Sequence, residues 1–477
     1  MSLSELIFLS ASALAEKIRR REISPVEAVE AHLGRIAQLN PKLNAFVEVN
    51  GEDARRQAQL SENALAHKKV PGPLHGVPVS IKSSISVAGM RCEAGSCLRK
   101  GFVAKADAPL ISRLKNAGAI IVGSTNTPEL LMAWETDNAL YGRTNNPWDL
   151  TRTAGGSSGG EAAAIAAGCS AAGVGSDGGG SIRVPAHFTG ICGLKPTPGR
   201  IPATGHYPVS AGPFALLGVV GPMARRVADL KIMFEVMQGP DIGDPSAAPV
   251  PIRWPEQQDL KKIRIGYFED DGRTPVTPET RAAVQKAAEA LSRAGFQIEP
   301  FRPKGLDEAR ELWWKIFGLV GRMLLEPMIA GKKDVSPLLE EFLAWTSGLP
   351  AHTAETMLET WIQRDLVRMR AFAQMSDFPV LLCPAAAIPA FRHRERCWNV
   401  DGKVVQYLDA WSYAEWFNLL GMPAAVVPMS MAPAEGAPQG LPIGVQIAAM
   451  PWQEELVLSV ASALEKQRGA WRPPEIR

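Results

Sequence analysis

Residues 155–190 read GGSSGGEAAAIAAGCSAAGVGSDGGGSIRVPAHFTG, and the two glycine and serine clusters in this stretch, at 155–160 and 175–181, decide how the chain folds. Such runs ordinarily make flexible linkers. Between these two, however, lie EAAAIAAG (161–168), a run of strong helix formers, and AAGVG (171–175), small and strand-like. A linker does not bracket a closely packed helix and strand with glycine, so the first cluster reads as a shaped strand-to-helix turn. The second ends at Ser181, ahead of a segment in which Pro185 is tolerable in a first helical turn. Ser181 then sits near a helix N-terminus. The three glycines before it let successive N–H groups converge on one concavity, a nest for negative charge. Either a phosphate or the oxyanion of an acyl transfer suits such a nest.

The phosphate reading lacks its partners: there is no GxxxxGK[ST], and GSDGGGS misses the GxGxxG spacing. Acyl transfer needs a nucleophile beside the nest, which Ser181 supplies, and a base to take its proton. His187 is the nearest histidine, but six residues along a helix turn it about 240° away from Ser181. Ser112 and Lys115 fit SxxK, yet they fall inside an amphipathic helix stopped by Gly118, and SDN and KTG are absent. Lys82 is the better base. It ends the apolar strand GVPVSI (76–81) between Ser80, Ser83 and Ser84. A strand lysine usually reaches solvent, whereas one bordered by a buried strand is desolvated and held neutral.

On both sides of this segment helical and strand signals alternate. Ser10 is an N-cap candidate, and residues 24–39 open with Ser24 and Pro25 and carry apolar groups at helical spacing. A helix at 107–117 precedes the strand AIIVG (119–123); IRIGYF (263–268), a helix from Pro278 to Ala294 and FQIEPF repeat the pattern. Short strands follow at 380–382, 424–427 and 443–449, then a terminal helix at 453–467. The expected fold class is α/β, a mixed, mostly parallel twisted sheet covered by helices. Residues 239–260, with five prolines, read as a connector, and 306–376 as helices rich in Trp, Phe, Leu and Met. Those helices are core of a second subdomain or an apolar cover over a binding site.

With 51 Lys+Arg against 49 Asp+Glu, nothing points to nucleic acid or an acidic membrane, and a small-molecule partner is expected. No run of eighteen apolar residues predicts a membrane span, and the N-terminal charges follow the apolar run, unlike a signal peptide. Cys92, Cys97, Cys169, Cys192, Cys383 and Cys397 form no CxxC pair, consistent with free thiols in the cytoplasm. Seven histidines without HxxxH predict no metal site.

GGSSGGEAAAIAAGCSAAGVGSDGGGSIRVPAHFTGICGLKPTPGR (155–200) resembles the signature segment of the amidase signature family, and the likeness runs from the N-terminal helices to LGMPAAVVP (420–428) and GLPIGVQIAA (440–449). Within it, residues 126–161 are similar to the fatty-acid amide hydrolases, especially the second animal type. The resemblance implies one domain over 1–477, a catalytic core over 76–238 and a helical variable subdomain over 306–376 that covers the substrate. It implies hydrolysis of the C–N bond of carboxylic amides, with esters as a further class, through an acyl-enzyme and no cofactor. Ser181 matches the nucleophile, Ser157 the relay serine after a cis Gly156–Ser157 peptide, and Lys82 the base. The oxyanion donors match Gly178, Gly179, Gly180 and Ser181, and Asp177 and Arg183 match supporting positions. Leu131, Met132 and Trp134, just past a strand end where ligands bind, fall beside the acyl pocket. Apolar acyl or aryl amides are the expected substrates and a homodimer the candidate assembly. The alternative reading is the glutamine-hydrolysing subunit of a tRNA-dependent amidotransferase, against which the Trp-rich 306–376 region speaks. A catalytically dead binding protein is a further alternative, which the complete triad opposes. Three positions depart from the family pattern: Ser83 where an acidic residue often stands, Gly178 in place of a bulkier residue, and His187 in place of a smaller one.

Overall fold

The computed structural model describes residues 3–67 and 72–476, so the first two residues of the N-terminal stretch lie outside the described residues. Its main sheet has eleven strands, in the spatial order Phe46–Val49, Ile120–Thr125, Pro78–Lys82, Ala172–Asp177, Val219–Ala224, Cys192–Lys195, Ala424–Ala434, Ala437–Ala449, Val380–Pro384, Arg264–Tyr267 and Gln297–Pro300. The α/β class and the mixed sheet are as the sequence predicts. Parallel pairs join Pro78–Lys82 to both its neighbours and Arg264–Tyr267 to both of its own. The other pairs of this sheet are antiparallel, among them the long hairpin Ala424–Ala434/Ala437–Ala449, which turns back on itself at Glu435 and Gly436.

Local signals place the helices where the sequence puts them. Ser10 accepts from the Ala13 N–H, and Ser24 with Glu27 closes a capping box on Pro25–Leu43. The helix Gly159–Ala166 is buried at every position. That explains its alanines: it runs through the core with neighbours on all sides, so small side chains predominate beside the larger Glu161 and Ile165. A side-chain carbon on Gly160 would come within 2.5 Å of Asn126 N. This close seating fixes where the helix begins, and so where the GGSSGG turn presents its serines.

The 306–376 region forms the helices Leu306–Trp313, Leu319–Ile329, Pro337–Ser347 and Ala354–Gln374, with one π-helical turn, Trp314–Gly318, joining the first two. Trp313, Leu325 and Phe342 are core residues, whereas Met323, Leu324 and Met328 are exposed. The apolar richness of this stretch therefore divides between packing and surface.

His187, without a role in the sequence reading, is a structural bridge. Its helix, Arg183–Thr189, packs on the hairpin; Nδ1 accepts from the Gly444 N–H at 2.9 Å and Nε2 donates to Ile388 O at 3.0 Å. Only a neutral imidazole makes both bonds, and burial lowers its pKa. Burial likewise pushes His32 and His206 down to about 4. The unfolded chain takes up protons at these sites near 6.5 while the fold holds them neutral to about 4, so the unfolded state binds more protons in that interval. Stability is complete above the upper value and is lost as pH falls through the window. Thermal melting from neutral pH downward is expected to show a falling midpoint across it; a midpoint constant to pH 4 would contradict the buried neutral histidines.

Candidate active site

The parallel flank Ile120–Thr125, Pro78–Lys82 and Ala172–Asp177 delivers Lys82 and Asp177 at the same edge of the sheet. Lys82 is fully buried and caged by hydroxyls: Nζ lies 2.7 Å from Ser157 Oγ, 2.9 Å from Ser158 Oγ and 2.9 Å from Ser176 Oγ. Burial drives its pKa well below the ordinary lysine value, and the attraction of Asp177 and Glu161 recovers only part of that fall. Glu161, beneath the lysine, is itself raised to about 8 by burial, although Ser80 and Thr125 donate hydrogen bonds to it. Ser158 and Ser176 were not singled out from sequence. Both sit inside the quoted clusters, but which hydroxyl faces the lysine depends on the turn geometry.

The Gly156–Ser157 peptide is cis. The two clusters are stitched together by the Ser158 N–H, which donates to Ser181 O at 3.1 Å. Ser181 Oγ has no hydrogen-bond partner among the described residues. Ser157, Ser176, Gly178 and Ser181 form one wall of a pocket of about 70 Å³; Leu130, Leu131, Met132, Phe214 and Phe317 make an apolar wall. Leu131 and Met132 line this pocket, whereas Trp134 lies behind the nest, stacked on Trp411, and donates its indole N–H to Gly179 O at 2.8 Å. Phe317, from the apolar 306–376 region, and His206 and Phe214, which sequence reasoning missed, complete the pocket.

The nest itself is held from outside, peptide by peptide. Asp177 O accepts from Asn418 Nδ2 at 3.1 Å, Gly178 O from Trp313 Nε1 at 2.9 Å, Gly179 O from Trp134, and Gly180 O from the Val184 N–H at 2.7 Å. The N–H groups of Gly178, Gly179 and Ser181 have no acceptor among the described residues. Gly180 differs from expectation: its N–H is bound to Asp177 Oδ1 at 2.7 Å and is not free for a ligand. Asp177 and Arg183 are both fully buried and paired twice, Nη2 to Oδ1 at 2.9 Å and Nε to Oδ2 at 3.0 Å. Burial alone would raise the Asp177 carboxyl, but Arg183, Lys195 and the Gly180 N–H outweigh it and keep the group well below the usual carboxylate range.

The family described as Amidase matches residues 27–458. The chain belongs to the amidase family. It is 35% identical over 466 residues to the indoleacetamide hydrolase of Bradyrhizobium diazoefficiens, covering 96% of this chain and 86% of that one. It is 32% identical to human fatty-acid amide hydrolase 2, covering 98% and 91%. A solved fatty acid amide hydrolase superposes with a TM-score of 0.87 at 26% identity, over 98% of this chain and 86% of its own. The protein is thus an enzyme acting on amide bonds, and no helix among the described residues is long and apolar enough to cross a membrane.

Gly178 and Gly179 differ in what an added side chain would strike. At Gly179 it would overlap the Trp313 ring outright, while at Gly178 it would lie 3.0 Å from Phe317 Cε2, the edge of a pocket-lining side chain. Phe317 thus fills the space that a bulkier residue at 178 would take. Gly179→Ala is expected to lose about 1–3 kcal/mol of stability and Gly178→Ala measurably less. Thermal melting of the two variants checks the order; equal melting points would refute it.

Proposed function

We propose that this amidase hydrolyses carboxylic amides with apolar acyl or aryl groups through Ser181 as nucleophile, Ser157 as proton relay and Lys82 as base. The observation that carries the reading is the 2.7 Å contact of Lys82 Nζ with Ser157 Oγ in a fully buried setting, where the lysine is depressed toward its neutral form. Neutral Lys82 takes the Ser157 hydroxyl proton as Ser157 takes that of Ser181. Ser181 Oγ bonds to the carbonyl carbon, and the carbonyl π electrons move to the oxygen. The N–H groups of Gly178, Gly179 and Ser181 stabilise that oxyanion. As the intermediate collapses, the C–N bond breaks and the proton held on Lys82 returns through Ser157 to the leaving nitrogen. Water, activated by the same relay, then cleaves the acyl-enzyme ester.

Asp177 and Arg183 support the nest, and Leu131, Met132, Phe214 and Phe317 bind the acyl group. On this reading residues 306–376 cover the substrate, since they contribute Phe317. Six free cysteines favour a reducing compartment, the cytoplasm. The apolar wall supports a lipophilic substrate over glutamine.

Ser181→Ala is expected to abolish turnover, and Ser157→Ala and Lys82→Ala to lower kcat by about 10²–10⁴-fold while the proteins still melt cooperatively. The acid limb of kcat/KM should rise as Lys82 loses its proton. Near-normal turnover by Lys82→Ala would refute the assignment.

The pocket makes a separate prediction. Each buried methylene contributes about 0.8 kcal/mol, roughly fourfold in affinity. Across acyl anilides from acetyl to dodecanoyl, kcat/KM should climb over several carbons and then level. Preference for acetyl, or for free glutamine, would exclude the lipophilic reading in favour of a small-amide or amidotransferase-type enzyme.

A further inference from the structure

In a trans peptide the C=O and the following N–H lie in one plane and point in opposite directions. Anchoring the carbonyl therefore aims the N–H. The Gly179–Gly180 peptide is anchored at both ends, its carbonyl by Trp134 at 2.8 Å and its N–H by Asp177 at 2.7 Å. The Gly178–Gly179 peptide is anchored only at its carbonyl, by the Trp313 indole N–H at 2.9 Å, which leaves the Gly179 N–H free. Trp313 is fully buried and cannot move independently of its neighbours. One neighbour is Phe317, whose ring stacks on it at 4.5 Å and 12°. Phe317 also lines the substrate pocket, meeting Phe214 edge-on at 5.3 Å. It sits in the π-helical turn Trp314–Gly318, an irregularity that recurs at functional sites and here brings Phe317 over Gly178.

We propose that Trp313 is a positioning residue for the oxyanion site and that the Phe317–Trp313 stack makes its alignment depend on what fills the acyl pocket. The proposal rests on the nest serving as the oxyanion site of the reaction above. An acyl chain packed on Phe317 holds the stack, the stack holds Gly178 O, and Gly179 N–H stays aimed at the developing negative charge. The indole bond also polarises the peptide and strengthens that N–H as a donor. Acyl length is then expressed in kcat, not only in KM. A Trp313 that merely fills the core would have no such effect: its truncation would lower stability and leave kcat unchanged.

The test compares wild type, Trp313→Phe, Trp134→Phe, Phe317→Leu and Ser181→Ala on acetyl and octanoyl anilides, with inhibition by an octanoyl trifluoromethyl ketone as a mimic of the tetrahedral state. Removing an oxyanion donor costs about 10²–10³-fold in kcat. Misaligning one donor while retaining it is expected to cost Trp313→Phe about tenfold or more in kcat, with KM within about twofold and trifluoromethyl ketone binding weakened in parallel. Trp134→Phe, whose peptide keeps its Asp177 anchor, should lose less, and Phe317→Leu should shrink the octanoyl-to-acetyl ratio of kcat. If Trp313→Phe does not fold, benzothienylalanine at 313 replaces the ring N–H by sulfur at nearly the same shape and gives the same readout. An unchanged kcat, or a loss confined to KM, overturns the proposal. Ser181→Ala separates the two levels: its activity would sink the reaction scheme itself, whereas a dead Ser181→Ala beside a normal Trp313→Phe sinks only the role of Trp313.

Discussion

Arg183 and Asp177 are opposite charges buried together, and the site is organised around their pairing. An ion pair at this depth is tolerable only if its remaining hydrogen-bonding capacity is used. It is used here. The carboxylate accepts from the backbone N–H groups of Gly180 and Ile182 at 2.7 and 3.0 Å, which bends the chain from strand into helix around it. Arg183 continues to Gln446 and Asn418 at 2.6 and 2.5 Å, and Asn418 donates back to Asp177 O and to Leu217 O. Strand end, nest, hairpin and the helix Ser412–Leu419 thus share one network. None of them can shift without leaving a charge partly unpaired.

Lys82 depends on the opposite condition. It has hydroxyl neighbours but no carboxylate in hydrogen-bonding contact, and Glu161, the acid beneath it, is biased by burial toward its neutral form. A lysine salt-bridged to an acid would stay protonated; one buried among serines is free to give up its charge. The sheet separates these two electrostatic tasks by adjacent strands, a locked ion pair on one and a dischargeable amine on the other.

Much of this is legible in the sequence because it rests on local rules. Glycine and serine bracketing an alanine run identifies the turn, Pro185 marks a helix start, and a lysine closing an apolar strand marks a desolvated amine. What the sequence cannot supply is the side from which distant segments arrive. Trp134 follows a strand end, as ligand-binding residues do, yet its ring turns behind the nest because Gly179 O offers its indole N–H a partner there. Gly180 belongs to the glycine run, but its N–H is taken by Asp177 three residues earlier, a pairing set by the curvature of the turn. His187 gains a reason only once Ile388 and Gly444, some two hundred residues away, are placed against it. Phe317 comes from the apolar 306–376 stretch, but that it meets Phe214 across the pocket depends on how the two distant segments pack.

Gly178 and Phe317 occupy complementary volumes, one giving up a side chain where the other inserts a ring. The helical segment 306–376 is therefore not an interchangeable module. Exchanging it for that of a relative with a smaller residue at 317 would open a hole above the nest, and restoring a bulky residue at 178 alone would collide with the present ring. A change of size at position 317 is therefore accommodated only if position 178 changes with it, which makes the two residues one packing unit drawn from distant parts of the chain.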